Sequence, residues 1–204
     1  MPKGSSRVAA AAGVRERLAQ EAARLMIEHG IADYRMAKRK AAERLAVSRT
    51  RTLPSNAQIE ACLAERQRIF EPATQSDRVG RLRQVAADTM QMLSLFEPRL
   101  VGPVLSGTAT SNSPIELHLF ADAPESVAGV LARAGIDYEE CQRRYRFSGR
   151  RVELVPGFSF VSAGERILLI VFAENGLREA PLSPVDQRPM ERAANARVRA
   201  LLVE

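Results

Sequence analysis

Two amphipathic stripes, in which apolar residues recur at steps of three and four, predict the first two helices. The first stripe ends before Gly30, a residue typical of helix C-termini, and consists of Val14, Leu18, Ala22 and Leu25. The second stripe predicts a helix over residues 32–46 and consists of Tyr34, Ala37, Ala41 and Leu45.

Two further helices complete the first half of the chain. Pro54 interrupts the pattern, and Ser55 or Asn56 can cap a third helix. The polar segment at residues 71–76 contains Pro72 and predicts a linker, after which a fourth helix capped by Ser76 runs to just before Pro98. We therefore predict two domains, a basic helical domain over residues 1–72 and an α+β domain over residues 73–204.

From residue 99 onward the pattern changes to short apolar runs, several with a period of two, which is typical of β-strands. The predicted strands are residues 100–106, 115–121, 138–147, 152–155, 158–161 and 167–172. Helices are predicted at residues 124–134, where Pro124 suits the first turn, and at 190–202. The predicted fold class is α+β, with an N-terminal helical bundle followed by a mixed or antiparallel sheet with flanking helices.

The positive charge of the chain is concentrated in one short segment. The formal net charge is +6, and residues 35–51 alone account for it, because only Glu43 opposes seven basic residues there. These are Arg35, Lys38, Arg39, Lys40, Arg44, Arg49 and Arg51. Such a concentration of charge attracts nucleic acid phosphates, and RNA is favoured over DNA. A solvated helix face is the alternative interpretation.

The rest of the composition narrows the cellular setting. No apolar run approaches the roughly 18 residues that cross a bilayer, so no membrane partner is expected. Cys62 and Cys141 lie far apart, outside any metal-binding spacing, which fits a reduced, cytoplasmic compartment. The sequence leaves the oligomeric state open.

Candidate chemistry lies in the segment LVGPVLSGTATSNSPIELHLFADA, residues 100–123. An apolar run ends there in Gly107 and Thr108, and a second run places Glu116 and His118 on one face of a strand. A glycine turn lets backbone amides approach a phosphate closely, and carboxylates hold the divalent metal that nucleotidyl transfer needs. The alternative is an ordinary turn beside an edge strand whose solvent face carries Glu116 and His118.

This segment resembles the signature of the DNA polymerase β nucleotidyltransferase superfamily, in which a strand ends in Gly-Ser and a second strand carries Ser-Asp-h-Asp-h, h being apolar. Gly107 and Thr108 stand for the Gly-Ser pair, and residues 113–117 stand for the second motif. The resemblance implies nucleotide binding by Gly107, Thr108 and Ser113. It also implies a catalytic group, which consists of Glu116 as metal ligand, His118 as ligand or phosphate contact, and Glu153 as a third acid.

Pro114 replaces the first aspartate of the motif and cannot ligate a metal. We therefore expect a degenerate nucleotidyltransferase-like protein that binds nucleotide or RNA without efficient transfer. The first alternative is an active enzyme that uses Mg²⁺ or Mn²⁺, and no cofactor is expected otherwise.

A second alternative concerns the N-terminal half. Residues 22–30 followed by Leu45-Ala46-Val47-Ser48 resemble the start of TetR-type repressors, with Ala46 at the glycine of the helix-turn-helix. That resemblance implies a DNA-binding regulator. The segment that follows, residues 49–54, contains Pro54 where the family has a recognition helix.

Overall fold

The computed structural model describes residues 3–47, 53–70 and 72–203. Seven α-helices and a five-stranded mixed sheet make up this part of the chain, which is an α+β fold. The helices are α1 (Lys3–Glu28), α2 (Tyr34–Arg44), α3 (Asn56–Phe70), α4 (Pro72–Met92), α5 (Gly102–Ser106), α6 (Pro124–Arg133) and α7 (Asn195–Ala200). The strands are β1 (Arg99–Val101), β2 (Ile115–Phe120), β3 (Glu139–Arg146), β4 (Val152–Ser162) and β5 (Glu165–Phe172).

The described chain divides into two compact units. The N-terminal unit comprises the residues up to Gln75 with Thr110–Asn112 and Pro184–Asp186, and the sheet unit comprises the remainder from Ser76 on. Residues 71–76 were predicted as a linker, with Ser76 as the cap of the fourth helix, but residues 72–76 are helical because α4 begins at Pro72. Proline is tolerated in a first helical turn because the missing N–H would have no partner there.

The N-terminal unit is a bundle in which α1 packs against both α2 and α3. Most residues of the two apolar stripes form its core, with Leu18, Ala22 and Leu25 of α1 and Ala37 and Ala41 of α2 buried, whereas Leu45 of the second stripe is exposed. The start of α3 is a capping box, because the Ser55 hydroxyl accepts from the Gln58 amide and the Gln58 side chain accepts from the Ser55 amide.

The sheet has the strand order β1-β2-β5-β4-β3, in which only β2 and β5 are parallel. One face packs on the main core, which contains Ile115, Leu117 and Leu119 of β2 together with buried residues of α4 and α6. The opposite face carries a smaller cluster around Phe120, Tyr145 and Phe172. Successive residues of a strand point to opposite faces, so this second face also receives Glu116 and His118.

Several predicted elements have other bounds. The strand predicted at 100–106 ends at Val101, because Gly102 takes a positive φ of 70° and the chain turns into α5. The strands predicted at 152–155 and 158–161 are one strand, β4, since Pro156 lies where β4 pairs only with β3 and has no neighbour on its other edge. The last helix covers only Asn195–Ala200 of the predicted 190–202.

Candidate functional site

Glu116 and His118 lie on an interior strand of the sheet. β2 is flanked by β1 and β5, the His118 side chain has no solvent exposure, and the Glu116 side chain is 19% exposed. The alternative in which both residues form the solvent face of an edge strand is therefore wrong.

These two side chains belong to a hydrogen-bonded network of Glu116, His118, Tyr145 and Arg192, which we call the Glu116 network. The Tyr145 hydroxyl donates to Glu116 Oε1 at 2.5 Å, and His118 Nε2 lies 3.4 Å from the same oxygen. On the other side of the ring, Arg192 Nε lies 3.1 Å from His118 Nδ1. Because an arginine N–H can only donate, Nδ1 is the acceptor, and a neutral ring carries its proton on Nε2, facing Glu116.

Curvature of the β3–β4 hairpin brings Tyr145 to Glu116. Strand pairing aligns Glu116 with Leu168, Ser159 and Glu139 across the sheet. In a flat sheet, Tyr145 would lie six residues beyond Glu139 along β3, which is about 20 Å from the row that contains Glu116. The 2.5 Å bond therefore requires the outer half of the hairpin to bend over this face.

Gly157 permits a close approach between β4 and β5 at the bend. A Cβ atom at this position would lie 2.2 Å from the backbone oxygen of Leu169, closer than any real side chain approaches. Glycine is thus required where the hairpin leaves the flat part of the sheet.

Arg192 reaches His118 from the segment that follows β5. Its neighbour Ala193 exchanges two backbone hydrogen bonds with Leu100 at the outer edge of β1. The Arg192 guanidinium carbon lies 5.0 and 5.1 Å from the ring centroids of Phe120 and Phe172, and Nη1 donates to the Gly176 carbonyl at 2.8 Å. Backbone pairing, two aromatic rings and a carbonyl therefore fix this side chain.

The electrostatics of the network favour one charge state. Burial is the main cause that lowers the pKa of His118, so the ring is neutral at pH 7. Burial opposes ionisation of Glu116, but the interactions with His118 and the Tyr145 hydroxyl outweigh it and lower the pKa of the carboxyl. Burial lowers the pKa of Arg192 to about 10, which leaves it charged. The network therefore links a charged Arg192 to an ionised Glu116 through a neutral imidazole.

Metal coordination has little support in this arrangement. Glu116 Oε1 already accepts from two protein donors, while Glu153 is 42% exposed and ion-paired with Arg151 at 3.0 Å. Across residues 3–47, 53–70 and 72–203, no three His, Cys, Asp or Glu side chains form a group that could hold a metal ion. This donor set does not fit Mg²⁺, which requires several oxygen ligands in octahedral geometry.

The predicted phosphate turn lies at the end of a helix. Gly107 follows the last residue of α5 with a φ of 85°, and the Arg83 guanidinium donates to the carbonyls of Val104 and Leu105 at 3.2 and 2.9 Å. A helix C-terminus presents carbonyls rather than amides, so this turn lacks the favourable field of a helix N-terminus. Thr108 bonds the Ser106 hydroxyl at 2.9 Å, and Ser113 lies two residues before β2.

The glycine next to Glu116 in the sheet is a different one. Cross-strand pairing places Glu116 opposite Val101, and Gly102 directly follows Val101. The turn at Gly102 therefore follows the cross-strand neighbour of Glu116, whereas Gly107 lies at the far end of α5.

Most of the predicted basic cluster lies on α2. Its exposed basic residues, which we call the basic helix face, are Arg35, Arg39, Lys40 and Arg44. Lys38 is half-buried, and burial lowers its pKa. Arg49 and Arg51 lie outside the described residues. At Ala46, just after α2, the backbone is left-handed with a φ of 53°, a conformation that glycine adopts more readily than alanine.

Sequence reasoning did not identify Tyr145 or Arg192. Tyr145 lies in a mostly polar strand, between Arg144 and Arg146. The only sign in the sequence that it is buried is that it is an aromatic residue between two arginines. Arg192 lies in an irregular segment and meets His118 across 74 residues of chain. No local signal marks such a contact.

Comparisons of the chain with family models, with curated proteins and with solved structures find no match. Within the described ranges, no helix combines the length and apolar character needed to cross a membrane.

Proposed function

We propose that this protein binds RNA through the basic helix face, and that its sheet unit is a nucleotidyltransferase-like domain without efficient transfer activity. The observation that carries the proposal is the basic helix face itself. Arg35, Arg39, Lys40 and Arg44 project from one helix into solvent, where a polyanion can reach them.

The carboxylates near this face neutralise it only in part. Arg39 pairs with Glu43 at 3.9 Å, with both side chains 68% exposed, and such an exposed pair is weak. Arg44 lies 3.4 Å from Glu21 and remains 57% exposed. Arg35 and Lys40 complete a face that is positive overall and suits phosphate contacts without reading of base sequence.

The Glu116 network supports the loss of transfer activity. A metal ion on Oε1 of Glu116 would compete with the hydrogen bonds from Tyr145 and His118, and Pro114 supplies no second ligand. The order of a helix, a short strand, a glycine turn and a second strand supports kinship with the superfamily. In that order the glycine after the first strand is Gly102 rather than Gly107.

RNA binding is tested by charge reversal on the basic helix face. The variant Arg35→Glu/Arg39→Glu/Lys40→Glu keeps the buried face of α2 intact and lowers the net charge by six, to zero. Affinity for a single-stranded RNA 12-mer, measured by fluorescence anisotropy from 50 to 300 mM salt, should fall at least tenfold. The slope of log K against log salt should become shallower by about 2, because each lost phosphate contact on a single strand removes roughly 0.7.

The matched control is Arg133→Glu/Arg144→Glu/Arg146→Glu, three exposed residues of the sheet unit. It makes the same change in net charge away from α2 and should retain most of the affinity. Equal losses in the two variants would show non-specific attraction and would refute the assignment to α2.

Transfer activity is tested separately with labelled nucleoside triphosphates and Mg²⁺ or Mn²⁺. We expect no label transfer to RNA by the wild-type chain. Transfer that Glu116→Gln abolishes would overturn this part of the proposal and favour the active enzyme.

A further inference from the structure

An ion-pair ladder crosses the N-terminal unit from α2 to α3. On α1, Arg24 pairs with Glu21 at 2.7 Å and also with Glu28, residues that lie on one face of the helix. Glu21 lies 3.4 Å from Arg44 at the end of α2, and Glu28 lies 3.4 Å from Arg66 on α3. The basic helix face is therefore continuous with a surface on α3.

An exposed aromatic ring lies at the α3 end of this ladder. The Phe70 side chain is 69% exposed, and the Arg66 guanidinium carbon lies 5.2 Å from its ring centroid. A guanidinium stacked on a phenyl ring covers one of its two faces. The exposed fraction leaves area on the ring for a second planar group.

The charge beside this ring suits a nucleic acid. Along the ladder, Arg24, Arg44 and Arg66 outnumber Glu21 and Glu28, and Arg44 and Arg66 are 57% and 37% exposed. An aromatic platform beside guanidinium groups is the arrangement on which single-stranded nucleic acids stack their bases while the phosphates contact the cations. In a duplex the bases are already stacked inside the helix and cannot use such a ring.

Resting on the RNA binding proposed above, we infer that the ligand is single-stranded and that one of its bases stacks on Phe70. The strand then follows the ladder from α3 across α1, with its phosphates reaching the basic helix face on α2.

The test compares Phe70→Leu with Phe70→Trp in the full-length chain. The first keeps an apolar side chain without a ring, and the second keeps a ring. The probes are a uridine 12-mer and a 12-base-pair RNA duplex, both read by anisotropy. Phe70→Leu should weaken binding of the single strand about tenfold, which equals about 1.4 kcal/mol, with an unchanged salt slope because no charge is lost. Phe70→Trp should bind the single strand at least as tightly as the wild type.

Duplex binding separates this inference from the function on which it rests. Phe70→Leu should leave duplex affinity unchanged. If Phe70→Leu binds the single strand as tightly as the wild type, or weakens both probes equally, the stacking inference fails and RNA binding stands. If the wild-type chain binds neither probe, the proposed function fails and the inference fails with it.

Discussion

We expect the Tyr145 hydroxyl to stabilise the sheet unit, and Tyr145→Phe removes this hydroxyl without changing the shape of the ring. The hydroxyl is the closer of the two donors to Glu116 Oε1, at 2.5 Å against 3.4 Å for His118 Nε2. A hydrogen bond to a charged acceptor is worth about 1.5–3 kcal/mol. Because the Glu116 side chain is 19% exposed and water can take part of this role, we expect the lower end of that range, about 1.5–2 kcal/mol at pH 7.

Native-state hydrogen exchange of the full-length chain is the appropriate assay, because it reports on each unit separately. The amides of β2 and β5, which pair with each other from Ile115 to Phe120, report opening of the sheet unit. Their free energy of opening should fall by the stated amount, while amides of α1 should be unaffected. The matched control is Tyr138→Phe, whose hydroxyl makes no hydrogen bond to the described residues and whose ring also packs on the sheet, against Phe158.

The dependence on pH distinguishes a bond to a carboxylate from simple packing. The Tyr145 bond lowers the pKa of Glu116, so its contribution is present above the pKa of the unfolded carboxyl, about 4.3, and is lost as pH falls through the folded pKa. The difference between Tyr145→Phe and the wild type should therefore shrink in acid. A loss no larger than that of Tyr138→Phe, or one that does not change while the Glu116 carboxyl is titrated, would refute the reasoning.

Two further predictions concern the same face of the sheet. His118 has a lowered pKa in the folded state, so as the pH falls the unfolded chain takes up a proton on this residue before the folded chain does. The stability of the sheet unit should therefore fall as the pH drops below about 6.5, by at most about 1.4 kcal/mol per pH unit for this group. His118→Gln should reduce this pH dependence in exchange data between pH 5 and 7. Gly157→Ala should destabilise the sheet unit by about 1–3 kcal/mol, because its Cβ would lie 2.2 Å from the Leu169 backbone oxygen. Gly80→Ala in α4, where a Cβ would have nothing within 4 Å, should stabilise the unit by up to about 1 kcal/mol. Equal effects of the two substitutions in chemical denaturation would contradict the close approach.

Several helices of this chain were predictable because their signals are local. The core stripe of α1, the capping box at Ser55 and the proline in the first turn of α6 each lie within a few residues of the boundary they determine. The same holds for β2, where alternation places Ile115 and Leu117 on the core face.

The boundaries that were predicted wrongly depend on features that the pattern of apolar residues does not show. Whether Pro156 ends a strand depends on which neighbour β4 has at that point, and the pairing with β5 begins only at Gly157. Whether residues 102–106 continue β1 depends on the left-handed turn at Gly102, because apolar Val104 and Leu105 suit a buried strand and a buried helix equally.

Only part of the candidate site could be predicted from the sequence, namely Glu116 and His118. The i, i+2 spacing of Glu116 and His118 placed them on one face, as the structure does. The spacing gave no indication of what faces them. The partners Tyr145 and Arg192 arrive through the curved hairpin and through the pairing of Ala193 with β1.

These partners decide what Glu116 can do. A carboxylate that serves as a metal ligand needs lone pairs free of protein donors, whereas Oε1 of Glu116 accepts from Tyr145 and lies within reach of a neutral His118. Freeing that oxygen would also leave His118 Nε2 and the Tyr145 hydroxyl without their partner on a buried face, at a cost for each lost hydrogen bond. Structural and catalytic use of this oxygen therefore compete. The network favours the structural use, which agrees with the proposal that the ligand binds to the cationic surface of the N-terminal unit.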